Sequence, residues 1–245
     1  DIRHFIDIKK FDPSTLRSIL EQAVRFKTGA FEKLDFFKDK TLILLFERPS
    51  TRTRVSFEVG MQQLGGNIVV IGEKDSQLGR GETIADTARV LSRYADVLML
   101  RTHTHEKLTD LAEHASIPVI NGLTSRSHPC QIMADILTVL EHRNSLDDLQ
   151  ITYVGDGNNI VHSWMELSMV IPFNLTIACP EGFLPDKNLT EEEREDLWSK
   201  AQTTGEIVSR SGTKVNTAAN KELAIREAET RNSTGGGLFG KDGID

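Results

Sequence analysis

The chain has 245 residues, of which 38% are hydrophobic and 27% charged, an ordinary composition for one large or two modest globular domains. Its net charge of −7 argues against a nucleic-acid partner or an anionic membrane surface, and no apolar run has the length of a membrane span. The cysteines, Cys130 and Cys179, form no C-x-x-C pair, so we expect no disulfide framework. We also expect no signal peptide, and a cytoplasmic location.

The N-terminal part of the sequence alternates helical and strand patterns. Asp12 and Pro13 are a helix cap and a first-turn proline, and the apolar residues that follow at helical spacing predict a helix to about Lys27. The run T-L-I-L-L-F at 41–46 is almost wholly apolar, which is typical of a strand buried on both faces in a parallel sheet.

A basic, hydroxyl-rich loop follows this strand, with the sequence R-P-S-T-R-T-R at 48–54. Pro49 ends the strand, and Ser50 or Thr51 can cap the helix predicted over 55–64. A helix N-terminus favours an anion, and Arg52 and Arg54 add charge with a geometry that fits phosphate oxygens. The pattern predicts a phosphate site; a capped helix with two solvated arginines is the alternative.

Three further strands are predicted at 67–71, 96–100 and 118–120, separated by helices at 82–93 and up to about His114. This alternation indicates an α/β domain with a parallel sheet, in which ligand-binding groups gather at the carboxyl ends of the strands. The loop at 50–54, Arg101, and the run H-P-C-Q at 128–131 all follow strands, so we expect them to converge. Separately, Arg101 could be a surface cation and His128 a cap or a packed ring.

A second unit is predicted after the helix at 131–142 and a polar hinge at 143–148. It begins with a strand at 151–154, the turn G-D-G-N-N at 155–159, a helix at 160–170 and a strand at 175–178. The turn is not G-x-G-x-x-G, which disfavours a dinucleotide site, and its Asn158 and Asn159 could be turn residues alone.

The remaining sequence predicts little chemistry. Thr190 and Glu193 form a capping box for a solvated helix over 191–200, and the tail at 209–245 has few large apolar residues and no alternation of strand and helix. His103, His105 and His114 have no carboxylate or cysteine at a spacing that closes a tetrahedral site, so we expect no metal and no cofactor.

Four motifs together resemble the aspartate/ornithine transcarbamoylase family, and within it the ornithine carbamoyltransferases. They are F-E-R-P-S-T-R-T-R-V-S-F-E at 46–58, Q-L-G-R-G-E-T at 77–83, H-P-C-Q at 128–131 and G-D-G-N-N at 155–159. The aspartate enzymes share the first and a form of the third, so the second and fourth indicate ornithine.

The resemblance implies a two-domain α/β fold in which each domain has a parallel sheet flanked by helices. It implies a carbamoyl-phosphate domain at 1–143 and an amino-acid domain at 144–208, apparently incomplete before the atypical tail at 209–245. It also implies a homotrimer with shared sites that transfers the carbamoyl group of carbamoyl phosphate to L-ornithine, giving L-citrulline and phosphate in arginine biosynthesis.

Residue roles follow from the same resemblance. It assigns catalysis to Arg52, Arg101 and His128, and ornithine binding to Asn159. The residues that it assigns to carbamoyl phosphate are Ser50, Thr51, Arg52, Thr53, Gln77, Arg101, His128, Pro129, Cys130 and Gln131, with Gln77 donated to a neighbouring subunit.

The chain also departs from the family pattern, because D-x-x-x-S-M-G and H-C-L-P, the family's ornithine-side motifs, do not occur in it. Two hypotheses therefore stay open: an ornithine carbamoyltransferase, intact or damaged, or a non-catalytic carbamoyl-phosphate-binding or assembly subunit of the same family that has lost the ornithine site. Citrulline production distinguishes them.

Overall fold

The computed structural model describes residues 3–72, 81–179, 183, 185, 206–208 and 214–217. The described residues form two compact units. The first consists of Asp1–Ile8 and Ser18–Met133, of which residues 1–2 and 73–80 are not described. The second contains Lys9–Arg17 and the described residues from Ala134 onward.

The first unit is built on a parallel sheet with the strand order β2-β1-β3-β4. β1 and β3 lie at its centre, and their apolar side chains are buried because both faces of the sheet are covered. The strands are β1 (Thr41–Phe46), β2 (Asn67–Gly72), β3 (Val97–Arg101) and β4 (Val119–Leu123).

Helices connect these strands and pack on the sheet. Leu108 and Leu111 of α4 pack on one face with Ala88 of α3, whereas Met61 of α2 packs on the other face with Met99 of β3. In chain order the first five helices are α1 (Pro13–Lys27), α2 (Thr51–Gln63), α3 (Ile84–Leu91), α4 (His105–His114) and α5 (Pro129–Arg143), of which α1 and α5 contain residues of both units.

The second unit has a mixed sheet with the order β5-β6-β8-β7, in which β7 alone is antiparallel to its neighbour. α6 is buried along most of its length, and its buried side chains are both apolar and polar, the latter being His162, Ser163, Glu166 and Ser168. The elements are β5 (Gln150–Val154), α6 (Asn159–Val170), β6 (Asn174–Ala178), β7 (Glu206–Val208) and β8 (Lys214–Thr217).

The α/β fold class is confirmed, and the order of predicted elements up to residue 178 matches the structure. α2 begins at Thr51 rather than at residue 55, because Ser50 is the cap. β4 continues through Gly122, which the sequence placed in a loop.

The tail at 209–245 shows no alternation of strand and helix in its sequence, yet Lys214–Thr217 form β8, which pairs with β6 in parallel. Backbone hydrogen bonds make this pairing, so a segment poor in large apolar residues can still join the sheet. The predicted helix at 191–200 lies outside the described residues. Within the described part of the chain, no helix combines the length and apolarity needed to cross a membrane.

Candidate functional site

The N-terminus of α2 forms the centre of the candidate site. Ser50 has extended backbone angles, and its Oγ accepts a hydrogen bond from the Thr53 backbone N–H at 3.3 Å. Pro49 before it ends the strand pattern and has no N–H to donate. The cap leaves the other N–H groups of the first turn directed out of the helix, where they and the helix dipole favour an anion.

Arg101 at the end of β3 lies beside this helix start. Its position pairs with Phe46 across the sheet, which brings its side chain to the carboxyl end of β1. Arg101 Nη1 donates to Thr53 Oγ1 at 3.3 Å, and the Ser50 hydroxyl donates to the same oxygen at 3.1 Å. Because both lone pairs of Thr53 Oγ1 are then used, its own O–H remains a donor.

The Arg101 guanidinium is partly withdrawn from water. Burial, and then the charge of Arg48, lower the pKa of Arg101 from its ordinary value. Among the described residues, the buried Nε of Arg101 has no hydrogen-bond partner. A buried donor without a partner is costly, so this atom is suited to an acceptor supplied by a ligand.

His128 lies in the turn between β4 and α5. Burial lowers its pKa to about 4, and the charge of Arg101 contributes to the shift. The imidazole is therefore neutral at pH 7, with one N–H donor and one acceptor nitrogen. The expected convergence of the 50–54 loop, Arg101 and His128 at one edge of the sheet agrees with these interactions.

Pro129, Cys130 and Gln131 form the first turn of α5. The Gln131 backbone N–H donates to the His128 carbonyl at 3.1 Å. Cys130 Sγ faces the Asn121 carbonyl at 3.4 Å, and burial raises the pKa of its thiol to about 12. The cysteine is protonated at neutral pH and packs against the backbone of β4.

Three further residues were considered from the sequence: Gln77, Asn159 and Arg54. Gln77 is outside the described residues. Asn159 is the first residue of α6 in the second unit, where the preceding Asn158 caps the helix by accepting from the Ile160 N–H at 2.9 Å. The sequence predicted that Arg54 adds its charge to the phosphate cradle, the proposed site formed by Ser50, Thr51, Arg52 and Thr53. Arg54 instead pairs with Glu58 one turn along α2 at 3.1 Å.

The histidines have identifiable partners. His105 contacts Thr124 and Asp7 in the core of the first unit. Contrary to the sequence expectation, carboxylates do lie near His114: one ligand atom each from Asp110, Glu113 and His114 falls within 4.8 Å of the others. This group is partly solvent-exposed on α4, where acidic side chains commonly cluster without a metal.

Sequence reasoning missed Glu47, which lies within the F-E-R-P-S-T-R motif. Its carboxylate accepts from Lys107 Nζ at 2.9 Å and from the Thr102 hydroxyl, and its backbone N–H donates to the Arg101 carbonyl at 3.0 Å. These contacts join the end of β1 to the segment that carries Arg101. The signal in the sequence was a single carboxylate directly after the predicted strand at 41–46. Without the fold, such a signal is too weak to assign a role to the residue.

Comparison with known proteins identifies the family. Residues 3–141 match the carbamoyl-P binding domain of aspartate/ornithine carbamoyltransferase, and residues 147–225 match the Asp/Orn binding domain. The "Ornithine carbamoyltransferase, chloroplastic" of Pisum sativum is 47% identical over 82% of this chain and 54% of its own length. The ornithine carbamoyltransferase of Nitrobacter winogradskyi is 44% identical over 93% of this chain and 70% of its length.

Solved structures agree with the sequence relatives. The ornithine carbamoyltransferase from Pyrococcus furiosus is 44% identical, with a TM-score of 0.72 over 76% of this chain and 60% of that one. The anabolic enzyme from Campylobacter jejuni is 30% identical, with a TM-score of 0.77 over 91% of this chain and 70% of that one. The chain thus spans between about half and 70% of these relatives' lengths. It belongs to the aspartate/ornithine carbamoyltransferase family.

Proposed function

We propose that this chain carries the carbamoyl-phosphate side of an ornithine carbamoyltransferase, which transfers the carbamoyl group to the side-chain amine of L-ornithine. The observation that carries this proposal is the buried Arg101 Nε, which has no partner among the described residues and lies in a guanidinium that contacts the capped start of α2. The relatives named ornithine carbamoyltransferase support the same reaction.

Ser50, Thr51, Arg52 and Thr53 are proposed to hold the phosphate. The first-turn N–H groups of α2 and the Arg52 guanidinium supply donors and positive charge where a phosphate dianion would lie. Arg101, His128 and Gln131 are proposed to surround the carbamoyl group, with Pro129 and Cys130 completing the turn. The proposed domain limits remain 1–143, 144–208 and 209–245.

The chemistry follows from these donors. The lone pair of the neutral ornithine amine attacks the carbonyl carbon, and negative charge develops on the carbonyl oxygen. The Arg101 guanidinium, the neutral His128 N–H and the Thr53 hydroxyl can stabilise that charge. The carbon–oxygen bond to phosphate then breaks, the bonding pair leaves with phosphate, and the amine proton passes to phosphate or solvent. Removing one such donor typically lowers the rate by about 10² to 10³.

The ornithine side and the assembly belong to the same proposal. Asn159 is proposed to hold ornithine, Gln77 to act in a neighbouring subunit, and three chains to form a homotrimer with shared sites. A cytoplasmic location and a role in arginine biosynthesis are proposed with them. A non-catalytic carbamoyl-phosphate-binding or assembly subunit is the second candidate, because the contacts that join the Ser50–Thr53 loop, Arg101 and His128 all lie within the first unit.

Two measurements test the proposal. Carbamoyl phosphate at millimolar concentration should raise the melting temperature of the wild-type chain, because a ligand that binds the native state stabilises it by mass action. Arg52→Ala should abolish the shift. Arg54→Ala is the matched control, since Arg54 pairs with Glu58 and should leave the shift unchanged.

The absence of a shift with well-folded wild-type protein would show that the cradle assignment is wrong. Citrulline production from carbamoyl phosphate and ornithine then separates the two candidates. A shift with citrulline supports the enzyme, whereas a shift without citrulline supports the binding subunit.

A further inference from the structure

A cluster of buried polar side chains lies behind the turn that carries His128. Its members are at most 7% exposed: Asp7, His105, Asn121, Thr124 and Ser127. They come from the N-terminal segment, the start of α4, the end of β4 and the loop before α5. Burying polar side chains without hydrogen-bond partners costs free energy, so we expect these side chains to pair with one another.

His105 joins two of these segments. Its Nδ1 lies 3.1 Å from Thr124 Oγ1, and its Nε2 lies 3.5 Å from Asp7 Oδ1. Thr124 Oγ1 accepts from the backbone N–H groups of Arg126 at 3.2 Å and Ser127 at 3.1 Å, and its hydroxyl can donate either to His105 Nδ1 or to the Ser127 carbonyl, which lies 3.4 Å away. When the hydroxyl donates to Nδ1, the ring proton lies on Nε2, facing the Asp7 carboxylate.

Ser127 and Asn121 continue the chain of contacts from the other side. The Ser127 hydroxyl donates to Asp7 Oδ1 at 3.5 Å and accepts from Asn121 Nδ2 at 3.0 Å. The same Asn121 amide donates to the Ile6 carbonyl at 3.0 Å. Asp7 is itself held in place, because Phe5, two residues before it, exchanges backbone hydrogen bonds of 2.8 Å with β4.

The loop between β4 and α5 is therefore fixed at two points, Thr124 and Ser127. His128 follows Ser127 directly, and its carbonyl receives the first N–H bond of α5. A displacement of Ser127 would be transmitted to His128 through one peptide unit. The cradle at the start of α2 makes none of the contacts described for this cluster.

We propose that Asp7 and His105 are positioning residues that hold His128 toward the carbamoyl end of the ligand while leaving the phosphate cradle unaffected; this inference rests on the proposed function. Asp7 accepts from the Ser127 hydroxyl, and its Oδ1 lies 3.5 Å from His105 Nε2. His105 links that acceptor to Thr124. The two residues act through the turn and do not touch the ligand.

The test compares two ligands, carbamoyl phosphate and inorganic phosphate, by calorimetric titration of the full chain. His105→Phe keeps the ring but removes both ring nitrogens. It should weaken carbamoyl phosphate binding by about ten-fold, the effect of losing one hydrogen bond, and phosphate binding by less than about three-fold. A general structural defect would weaken both alike.

Companion variants separate positioning from folding. Ser127→Ala removes only a hydroxyl and should give the same ligand-selective loss if His105→Phe does not fold. Asp7→Asn keeps an oxygen acceptor and should keep the wild-type affinity ratio. His114→Phe in the same helix is the control, because His114 bonds to Asp110 and should leave both affinities unchanged.

Amide hydrogen exchange gives a readout that does not depend on the ligand. The N–H groups of Arg126 and Ser127, bonded to Thr124, should exchange faster in His105→Phe than in the wild type or His114→Phe. Unchanged exchange, or equal losses for both ligands, would overturn the proposal. If the wild type binds neither ligand, the proposed function fails, and exchange alone decides whether His105 fixes the turn.

Discussion

His128 shows how the surroundings of one residue decide what it can do. Its imidazole is partly buried, and the charge of Arg101 further disfavours a second positive charge there. A neutral ring can donate to a developing oxyanion without carrying a charge that must be desolvated. The same shift couples His128 to folding, since the folded chain resists a proton that the unfolded chain accepts.

We expect the free energy of unfolding to decrease as the pH falls from the ordinary histidine value of 6.5 toward about 4, because His128 protonates first in the unfolded chain. This contribution is fully present above pH 6.5. His128→Gln removes it, so the stability advantage of the wild type over the variant should shrink in acid. Urea denaturation of both proteins between about pH 7.5 and about pH 4.5 measures this difference.

The variant is the control for other acid-titrating groups, since both chains share them. Parallel stability curves for the two proteins across this range would contradict the assignment.

At the scale of elements, α2 carries the cradle at one end and covers the sheet with its middle. Met61 and Phe57 pack on the strands, whereas Val55 and Val59 are exposed. Gly60 lines an apolar cavity of about 680 Å³, and apart from its chain neighbours and the backbone of its own helix no atom lies within 4 Å of the place where a Cβ would be. The helix thus contains a glycine that local packing does not require.

We predict that Gly60→Ala stabilises the protein by about 0.5–1 kcal/mol, because alanine loses less backbone entropy in a helix and its methyl enters open space. Gly122→Ala in β4 should destabilise it by about 1–3 kcal/mol, because its Cβ would lie 2.1 Å from the sulfur of the buried Met99. Denaturant midpoints of the two variants test both signs. Equal shifts in one direction would show that the packing around these glycines is misassigned.

At the scale of the whole molecule, carbamoyl-phosphate binding is proposed for the first unit and ornithine binding for the second. Gln77 lies in Q-L-G-R-G-E-T, the motif whose resemblance implies a loop donated to a neighbouring subunit. The proposed trimer would then have sites built from two chains each. Sites shared between chains would allow two defective variants to complement each other in a mixed oligomer, which is impossible for a monomer.

Mixing Gln77→Ala chains with Arg52→Ala chains should restore carbamoyl phosphate binding, because some interfaces in the mixed oligomer then lack both changes. Binding would be measured by calorimetric titration after verified subunit exchange, with each variant alone as the control. A wild-type chain that is monomeric by ultracentrifugation would rule out shared sites. Verified exchange without restored binding would count against them.

Local chemistry in the sequence was enough to predict β1, a helix cap at Ser50 or Thr51, and the first-turn N–H groups behind the phosphate cradle. An apolar run ended by proline and a capping hydroxyl are decided by neighbouring residues, so their pattern is legible without the fold. The strand and helix order predicted a parallel sheet, and hence that Arg101 and His128 would lie near the cradle. The motifs that resemble the family then indicated carbamoyl phosphate as the ligand of this site.

Only the tertiary structure decided which side chains meet. The Arg101 contact with Thr53, the pairing of Asp7 with His105, and the addition of β8 to β6 join residues far apart in sequence. Such contacts depend on strand register and on the position of each helix over the sheet, which leave no local periodic signal. His105 illustrates the difference. In the sequence it was grouped with His103 and His114, whereas in the structure its partners are the Asp7 carboxylate and the Thr124 hydroxyl.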